Sequence, residues 1–121
     1  MQRFDVILIE GAGGWRVPLN NTETLAELPR LLGIPAILVV GMRLGCLNHA
    51  LLSAEAMRRD GVPLLGWVAN QVDPHMAHID ANLDTLRRLL PGHFLGHTPW
   101  LEHATPELLA QHLDVSPLIL T

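Results

Sequence analysis

Glu10 is the first residue whose position in the sequence suggests chemistry. It follows the apolar run Asp5–Ile9 and precedes the loop Gly11-Ala-Gly-Gly14. A carboxylate at the end of a strand is a suitable oxygen ligand for Mg²⁺, and glycines let backbone N–H groups approach a phosphate closely. A solvated loop acid, a helix N-cap or a simple tight turn would explain the same residues. The loop matches neither GxGxxG nor GxxxxGK[ST], so it is not a complete phosphate-binding motif.

Two other segments carry residues that could bind a ligand. Gly45-Cys-Leu-Asn48 opens the best helical pattern, and a helix N-terminus attracts a carboxylate or phosphate, although ordinary capping is the alternative. Cys46, the single cysteine, is more typical of a small buried residue than of a nucleophile. Asn70 ends an apolar run with a donor and an acceptor, which suits the edge of a nucleobase but also a turn.

The histidines do not predict a zinc site. His75 and His78, and likewise His93 and His97, have spacings that resemble metal-binding pairs. Each pair crosses a turn or a strand boundary, however, and no cysteine or acid completes a set of ligands.

Four apolar runs would position these residues. They begin about thirty residues apart, the length of a βαβ unit, and none alternates polar with apolar residues. The runs are Asp5–Ile9, Ala36–Val40, Leu64–Ala69 and, more weakly, Phe94–Leu95. Helices are predicted between and after them, at Thr24–Leu32, Leu47–Met57, Ile79–Leu90 and Pro106–Leu113.

The alternation predicts an α/β fold with a parallel sheet between helices. Residues 1–121 read as one domain, because no linker, repeat or low-complexity tract interrupts them. Ligands of such sheets collect at the carboxyl ends of the strands. The corresponding segments are Glu10–Gly14, Gly41–Cys46, Asn70–Pro74 and Thr98–Leu101.

Composition narrows the class of protein. The chain has 121 residues, 49% of them hydrophobic and 17% charged, with a formal net charge of −4; its mean hydropathy is +0.26. These values favour a packed domain and argue against nucleic acid as a main partner. No apolar run is long enough for a membrane span, and one cysteine suits the cytoplasm. All eight basic residues are arginine, so chemistry that requires a lysine amine must use one from elsewhere.

Four motifs, in order along nearly the whole chain, resemble dethiobiotin synthetase. They are IEGAGGWRVPL from Ile9, LVVGMRLGCLNHA from Leu38, GWVANQVDP from Gly66 and LGHTPWL from Leu95. The resemblance implies a P-loop-type α/β fold, of which this chain would hold about four βα units, and a homodimer. It implies that 7,8-diaminononanoate (7,8-diaminopelargonate), CO₂ and MgATP are converted to dethiobiotin, ADP and phosphate. A substrate amine is carbamylated, the carbamate is phosphorylated, and the second amine attacks the mixed anhydride.

The resemblance also assigns binding roles residue by residue. Glu10 resembles the acidic Mg²⁺ ligand, beside Gly11, Ala12 and Gly13 at the phosphates of ATP. Asn70, with Gln71, resembles the reader of adenine. The residues implied to flank the nucleotide further are Pro99, Trp100, Leu101 and Glu107. Those implied to receive the substrate's carboxylate tail across the dimer interface are Gly45, Cys46, Leu47 and Asn48, and Asn82 falls where some members place a substrate-reaching tyrosine.

The resemblance further implies that about a hundred residues, with the P-loop and the catalytic lysine, precede the first strand in family members. No catalytic residue is therefore assigned in this chain, and we expect it to be inactive alone. Two other functions fit the same residues. One is another P-loop amidoligase or a ParA-like ATPase, and the other is a non-catalytic binding or dimerisation module.

Overall fold

The computed structural model, which describes residues 4–118, contains one sheet of three parallel strands. The strands are β1 (Ala36–Met42), β2 (Leu64–Gln71) and β3 (His93–Thr98), and they lie in the order β1-β2-β3. This confirms the α/β prediction and three of the four predicted strands. The pairing aligns Gly41 with Asn70, and Asn70 with Thr98. The carboxyl ends of the three strands therefore lie side by side.

The prediction of a strand at Asp5–Ile9, the first of the four apolar runs, is wrong. Residues 5–9 adopt no strand and are exposed, with Val6, Ile7 and Leu8 each more than 70% accessible to solvent. A strand that is apolar on both faces forms only when neighbouring strands bond to its two edges and helices cover it. No segment among residues 4–118 pairs with it, so the apolar composition alone is insufficient.

The helices follow the predicted order with shifted ends. They are α1 (Glu27–Leu32), α2 (Cys46–Arg59), α3 (Ile79–Leu89) and α4 (Pro106–Ala110), followed by a 3₁₀ turn at Ser116–Leu118. The first begins three residues later than predicted, so that Pro29 falls in its first turn, where its missing N–H costs little. No helix within residues 4–118 is long and apolar enough to cross a membrane.

The core lies between the sheet and α2 with α3. Its largest fully buried side chains are Trp67, Met42, Leu86 and Cys46. The ring of Trp67 packs on Phe94 with centroids 4.5 Å apart. This packing covers one face of the sheet, including Val40 and Met42 on β1. Val39, which points to the opposite face, remains 61% exposed. The edge of β1 that faces away from β2 has no partner strand among the described residues.

The segment that follows α4 is fastened to β3. Leu113 forms an antiparallel bridge with Gly96, and the Asp114 N–H donates to the Leu95 carbonyl oxygen at 2.8 Å. Gly96 has φ +141°, and a Cβ there would lie 2.0 Å from the His112 carbonyl oxygen. This contact ends the predicted helix Pro106–Leu113 at Ala110, because the chain must turn to reach the sheet.

Candidate functional site

The carboxyl ends of β2 and β3 form the best-defined part of the candidate site. Asn70 and Thr98 are paired across the two strands, and the Thr98 hydroxyl donates to Asn70 Oδ1 at 2.8 Å. Pro99 and Trp100 follow directly, and the Trp100 side chain is 47% exposed. The structure therefore brings Asn70 and the Pro99–Leu101 segment to one edge of the sheet. An exposed aromatic ring beside an amide is suited to a flat, hydrogen-bonding ligand.

Gln71 is engaged in the loop that follows β2. Its side-chain Nε2 donates to the Asp73 carbonyl oxygen at 3.1 Å, and the Asp73 carboxylate accepts from the His75 N–H at 2.8 Å. These bonds shape the loop after the strand. Asn70, rather than Gln71, is left to present its amide at the edge.

The start of α2 is a second part of the candidate site. Gly45 precedes the helix with φ +95°, and the Cys46 N–H already donates to the Arg43 carbonyl oxygen at 3.0 Å. The N–H groups of Leu47 and Asn48 lie in the first turn, where a helix supplies no acceptor. The Cys46 side chain is 1% exposed, which agrees with a small core residue rather than a nucleophile. Of this segment, the N–H groups of Gly45, Leu47 and Asn48 have no backbone acceptor among the described residues, whereas that of Cys46 is engaged.

Asn82 lies beside this helix start. Its Oδ1 atom is 3.9 Å from the Cys46 sulfur, and its Nδ2 donates to the His78 carbonyl oxygen at 2.9 Å. A groove of about 180 Å³ opens next to it, lined by Leu44, Asp73, Met76, Ala77 and Asn82. The start of α2 and the first turn of α3 are therefore neighbours in the structure, although Cys46 and Asn82 are 36 positions apart in the sequence.

The glycine-rich loop is not brought to the strand ends. Gly13 and Gly14 have φ +83° and +112°, which explains the need for glycine at both positions. Glu10 is exposed. The prediction that residues 10–14 sit at the sheet's carboxyl edge fails in this structure, because the strand that would carry them there does not form.

The residues after this loop are instead anchored at the far end of α2. Trp15 Nε1 donates to Asp60 Oδ2 at 2.7 Å, and Arg16 donates to Asp60 Oδ1 at 2.8 Å. Burial raises the pKa of Asp60, but the hydrogen bonds from Trp15 and Arg16 outweigh this and lower the pKa below its usual value of 3.8. Asp60 directly follows the C-terminus of α2, at the opposite end from Gly45. No local sequence pattern predicts these two contacts, which join residues 45 and 44 positions apart.

Glu107 lies in the first turn of α4. Thr105 caps this helix by accepting a hydrogen bond from the Leu108 N–H at 3.2 Å. The bridge from Leu113 to Gly96 holds the following segment against β3. Glu107 is therefore carried on an element attached to the strand that ends at Thr98.

His97 is the histidine with the most unusual surroundings. Its Nε2 atom is buried with no hydrogen-bond partner in the part of the chain that the structure describes. Burial, and then the charge of His112, lower the pKa of His97 below 6.5, and Asp80 opposes this shift. Within residues 4–118, no group of three His, Cys, Asp or Glu side chains is placed to hold a metal ion.

Three positions hold segments of this structure in place without a role having been predicted for them from the sequence, although Thr98 begins one of the predicted ligand-collecting segments. Thr98 orients the Asn70 amide, Asp60 anchors the segment after the glycine-rich loop, and Gly96 admits the Leu113 segment against β3. A threonine at a strand end or an acid after a helix carries no distinctive pattern. For Gly96, a glycine inside a short apolar run was the available signal, because such glycines often mark a close backbone approach.

Comparison with known proteins shows which family and which curated proteins this chain resembles. A family model described as an AAA domain matches residues 1–108. The chain is 59% identical over 114 residues to ATP-dependent dethiobiotin synthetase BioD of Pseudomonas aeruginosa strain UCBPP-PA14, a match that covers 94% of this chain and 50% of that protein. It is 52% identical over 119 residues to the protein of the same name from Cellvibrio japonicus, covering 98% of this chain and 52% of that protein.

A third relative is more distant and matches the same portion. The protein of the same name from Ralstonia nicotianae is 49% identical over 115 residues, which are 95% of this chain and 50% of that protein. The chain thus spans about half the length of the curated relatives it matches. The three relatives are all named dethiobiotin synthetases. Because the family model covers most of the chain, the chain belongs to the AAA domain family.

Proposed function

We propose that this chain is the nucleotide-base and substrate-tail half of an ATP-dependent dethiobiotin synthetase. The reaction joins 7,8-diaminononanoate and CO₂ into the ureido ring of dethiobiotin and converts ATP to ADP and phosphate. The observation that carries the proposal is the 59% identity, over 94% of the chain, to a protein named for this activity. Three of the four motifs that carry the resemblance contain the carboxyl ends of β1, β2 and β3 or the start of α2. The first motif, IEGAGGWRVPL, lies outside this edge, and its residues Trp15 and Arg16 bind Asp60 instead.

A second half is proposed to complete the sheet along β1. The free edge of β1 borders a groove of about 110 Å³, whose lining includes Leu38, Val40, His49 and Ser53. Val39 beside it is 61% exposed, and the apolar residues 6–9 are uncovered. A parallel strand with an exposed apolar face and an unpaired edge is suited to receive further strands. This half would supply the lysine amines that the chain lacks.

The base of ATP is proposed to bind at Asn70, against the segment Pro99–Leu101 and within reach of α4, which carries Glu107. The Asn70 side chain offers an oxygen acceptor and a nitrogen donor together, which complements the N6 amino group and N7 of adenine. Trp100 offers an exposed aromatic face for the base. Gln71 would act indirectly, by fixing the loop after β2.

Glu10 is proposed to bind Mg²⁺ once the first strand is ordered by the second half. Mg²⁺ is commonly held by one or two carboxylates together with phosphate oxygens and water, so one exposed carboxylate fits this role. The ion would supply charge neutralisation at the phosphates of ATP. Gly11, Ala12 and Gly13 would let backbone N–H groups approach those phosphates, because the two glycines have no Cβ to block them.

The substrate's carboxylate tail is proposed to bind at the Leu47 and Asn48 N–H groups, across a homodimer interface. The partial positive charge of the 14-residue helix α2 favours an anion there. Asn82 and the adjoining groove would receive the neighbouring part of the chain. In this arrangement Gly45 allows the approach and Cys46 contributes packing, since its side chain is buried. We also infer a cytoplasmic location, because the single cysteine remains a free thiol.

The proposed reaction proceeds in three steps. One substrate amine forms a C–N bond to CO₂ and loses a proton, which gives a carbamate. A carbamate oxygen takes the γ-phosphoryl group of ATP, and ADP leaves. The second amine then attacks the same carbon and loses a proton, which closes the ring and displaces inorganic phosphate. The residues of this chain hold the base, the metal-bound phosphates and the carboxylate tail, so their contribution is positioning.

The proposal is tested with the 121-residue chain and with the complete protein that contains it. We expect dethiobiotin from the complete protein and neither product nor ATP hydrolysis from the chain, because the lysine that would neutralise the phosphates is absent. Product from the chain alone would contradict the division of roles. Absence of product from the complete protein, with a dimer retained, would favour the non-catalytic dimerisation module instead.

Two variants of the complete protein separate the proposed roles. Glu10→Gln keeps the shape of the side chain but removes its charge, so turnover should fall by orders of magnitude with the fold intact; Glu55→Gln, exposed on α2, is the matched control. Asn70→Ala should weaken ATP binding by about 1 kcal/mol or more, whereas Asn21→Ala in an exposed loop should not. Unchanged Mg²⁺ dependence, or unchanged ATP affinity, would eliminate the respective role.

A further inference from the structure

Thr98 is an unusual polar residue in the buried part of this fold. Thr98 is 4% exposed, and it is the one residue within 4–118 that is both buried and polar or charged. A buried hydroxyl must find a hydrogen-bond partner to offset the loss of water. The partner here is a side chain of the neighbouring strand, Asn70 Oδ1, at 2.8 Å.

The direction of this hydrogen bond follows from the available acceptors. The hydroxyl has one proton, and its two candidate acceptors are Asn70 Oδ1 at 2.8 Å and the Ala69 carbonyl oxygen at 3.5 Å. The shorter contact has the normal length for a hydroxyl donor, whereas the longer one lies at the outer limit. Thr98 therefore donates to Asn70 Oδ1, and the oxygen of the amide is the atom turned toward β3.

This contact removes a freedom that an asparagine normally has. An amide can exchange the positions of its oxygen and nitrogen by turning about the last side-chain bond, and the pattern of neighbours decides which arrangement prevails. Turning Asn70 would place Nδ2 against Thr98 and force the hydroxyl proton toward the distant Ala69 oxygen. The buried, paired threonine therefore holds the amide in one orientation.

We propose that Thr98 is a positioning residue that makes the site select a 6-amino purine over a 6-oxo purine. The inference rests on the proposed function, in which Asn70 reads the base. With its orientation fixed, the amide presents an acceptor and a donor in one order, which matches the amino group and N7 of adenine. A 6-oxo purine has acceptors at both positions, so its O6 would meet Asn70 Oδ1 without a proton between them.

The test compares ATP with ITP, which differ at position 6 of the base. In the complete protein, Thr98→Val keeps the size and shape of the side chain but cannot donate, and Thr98→Ser keeps the hydroxyl. We expect the parent protein to prefer ATP in kcat/KM and in binding measured by calorimetry. Thr98→Val should reduce this preference by roughly tenfold, the scale of one lost hydrogen bond. Thr98→Ser should retain it.

The outcomes distinguish this inference from the function on which it rests. If the parent binds neither nucleotide, both are overturned. If the parent prefers ATP and Asn70→Ala abolishes that preference while Thr98→Val leaves it intact, the role of Thr98 alone is overturned. Equal losses for ATP and ITP in Thr98→Val also overturn it, because a purely structural threonine would weaken both. Thermal unfolding of each variant verifies that its fold is retained.

Discussion

Gly96→Ala should destabilise the protein more than any other single glycine-to-alanine change outside the turns. The added Cβ would lie 2.0 Å from the His112 carbonyl oxygen, and the residue would have to keep φ +141°. A non-glycine residue in such a region costs about 1–3 kcal/mol. To relieve the clash, the segment around Leu113 must move from β3, which breaks the 2.8 Å hydrogen bond from the Asp114 N–H to the Leu95 oxygen.

That lost hydrogen bond adds about 0.5–1.5 kcal/mol. The expected destabilisation is therefore on the order of 2–4 kcal/mol, a large part of the ~5–15 kcal/mol of a typical domain. Urea unfolding followed by tryptophan fluorescence measures the effect, because Trp67, one of the three tryptophans, is 1% exposed and becomes solvated on unfolding. Guanidinium unfolding followed by circular dichroism should give the same loss.

Gly61→Ala is the matched control. Gly61 also has a positive φ, +75°, but a Cβ there would meet nothing within 4 Å. Its substitution should cost about 1–2 kcal/mol from backbone strain alone. If Gly96→Ala is no more destabilising than Gly61→Ala, the close approach of the His112 segment is not a constraint in solution, and the attachment of α4 to β3 is refuted.

Other consequences concern single side chains. Asp60→Asn should release the segment after the glycine-rich loop, so trypsin should cleave at Arg16 several times faster; equal cleavage rates would contradict the anchor. Because the folded state lowers the pKa of Asp60, its stabilising contribution is present above pH 3.8 and should disappear as the pH falls through that lowered value. Burial and His112 lower the pKa of His97 below 6.5, so stability should fall as the pH drops from 6.5 through the lowered pKa; a His97→Gln variant that shows the same slope would exclude this origin. If the carboxylate tail binds at the start of α2, a methyl ester of the substrate should raise KM strongly while Arg43→Ala changes it little, and the reverse result would favour a salt bridge to Arg43.

The structure also changes how the helix start can be tested. A Gly45→Pro variant would restrict the backbone at the helix start. Proline cannot adopt the φ of +95° that Gly45 has, however. Such a variant would unfold the helix start whether or not it binds a ligand. Gly45→Asn is more informative, because asparagine tolerates the left-handed region and a Cβ at Gly45 comes no closer than 3.5 Å to another residue, at His49. The ester and Arg43→Ala remain the decisive comparison.

The sequence by itself determined the three strands of the sheet, the two long helices α2 and α3, and the family. Apolar runs bounded by glycine, proline and asparagine mark buried strands, and a 3.6-residue period marks α2 and α3. These signals are local, since each is read from about a dozen neighbouring residues. The resemblance was equally local, because it depended on short motifs in a fixed order.

Tertiary structure decided what depends on residues distant in the chain. The run Asp5–Ile9 has the composition of a strand, yet it remains unpaired because a strand requires partners that no local pattern supplies. The end of α4 was set by the contact between Leu113 and Gly96, and the place of Trp15 by Asp60. The orientation of Asn70 depends on a hydroxyl 28 positions away. The sequence predicted Asn70 as a contact, and the packing of β2 against β3 decided that its Oδ1 accepts a hydrogen bond from Thr98.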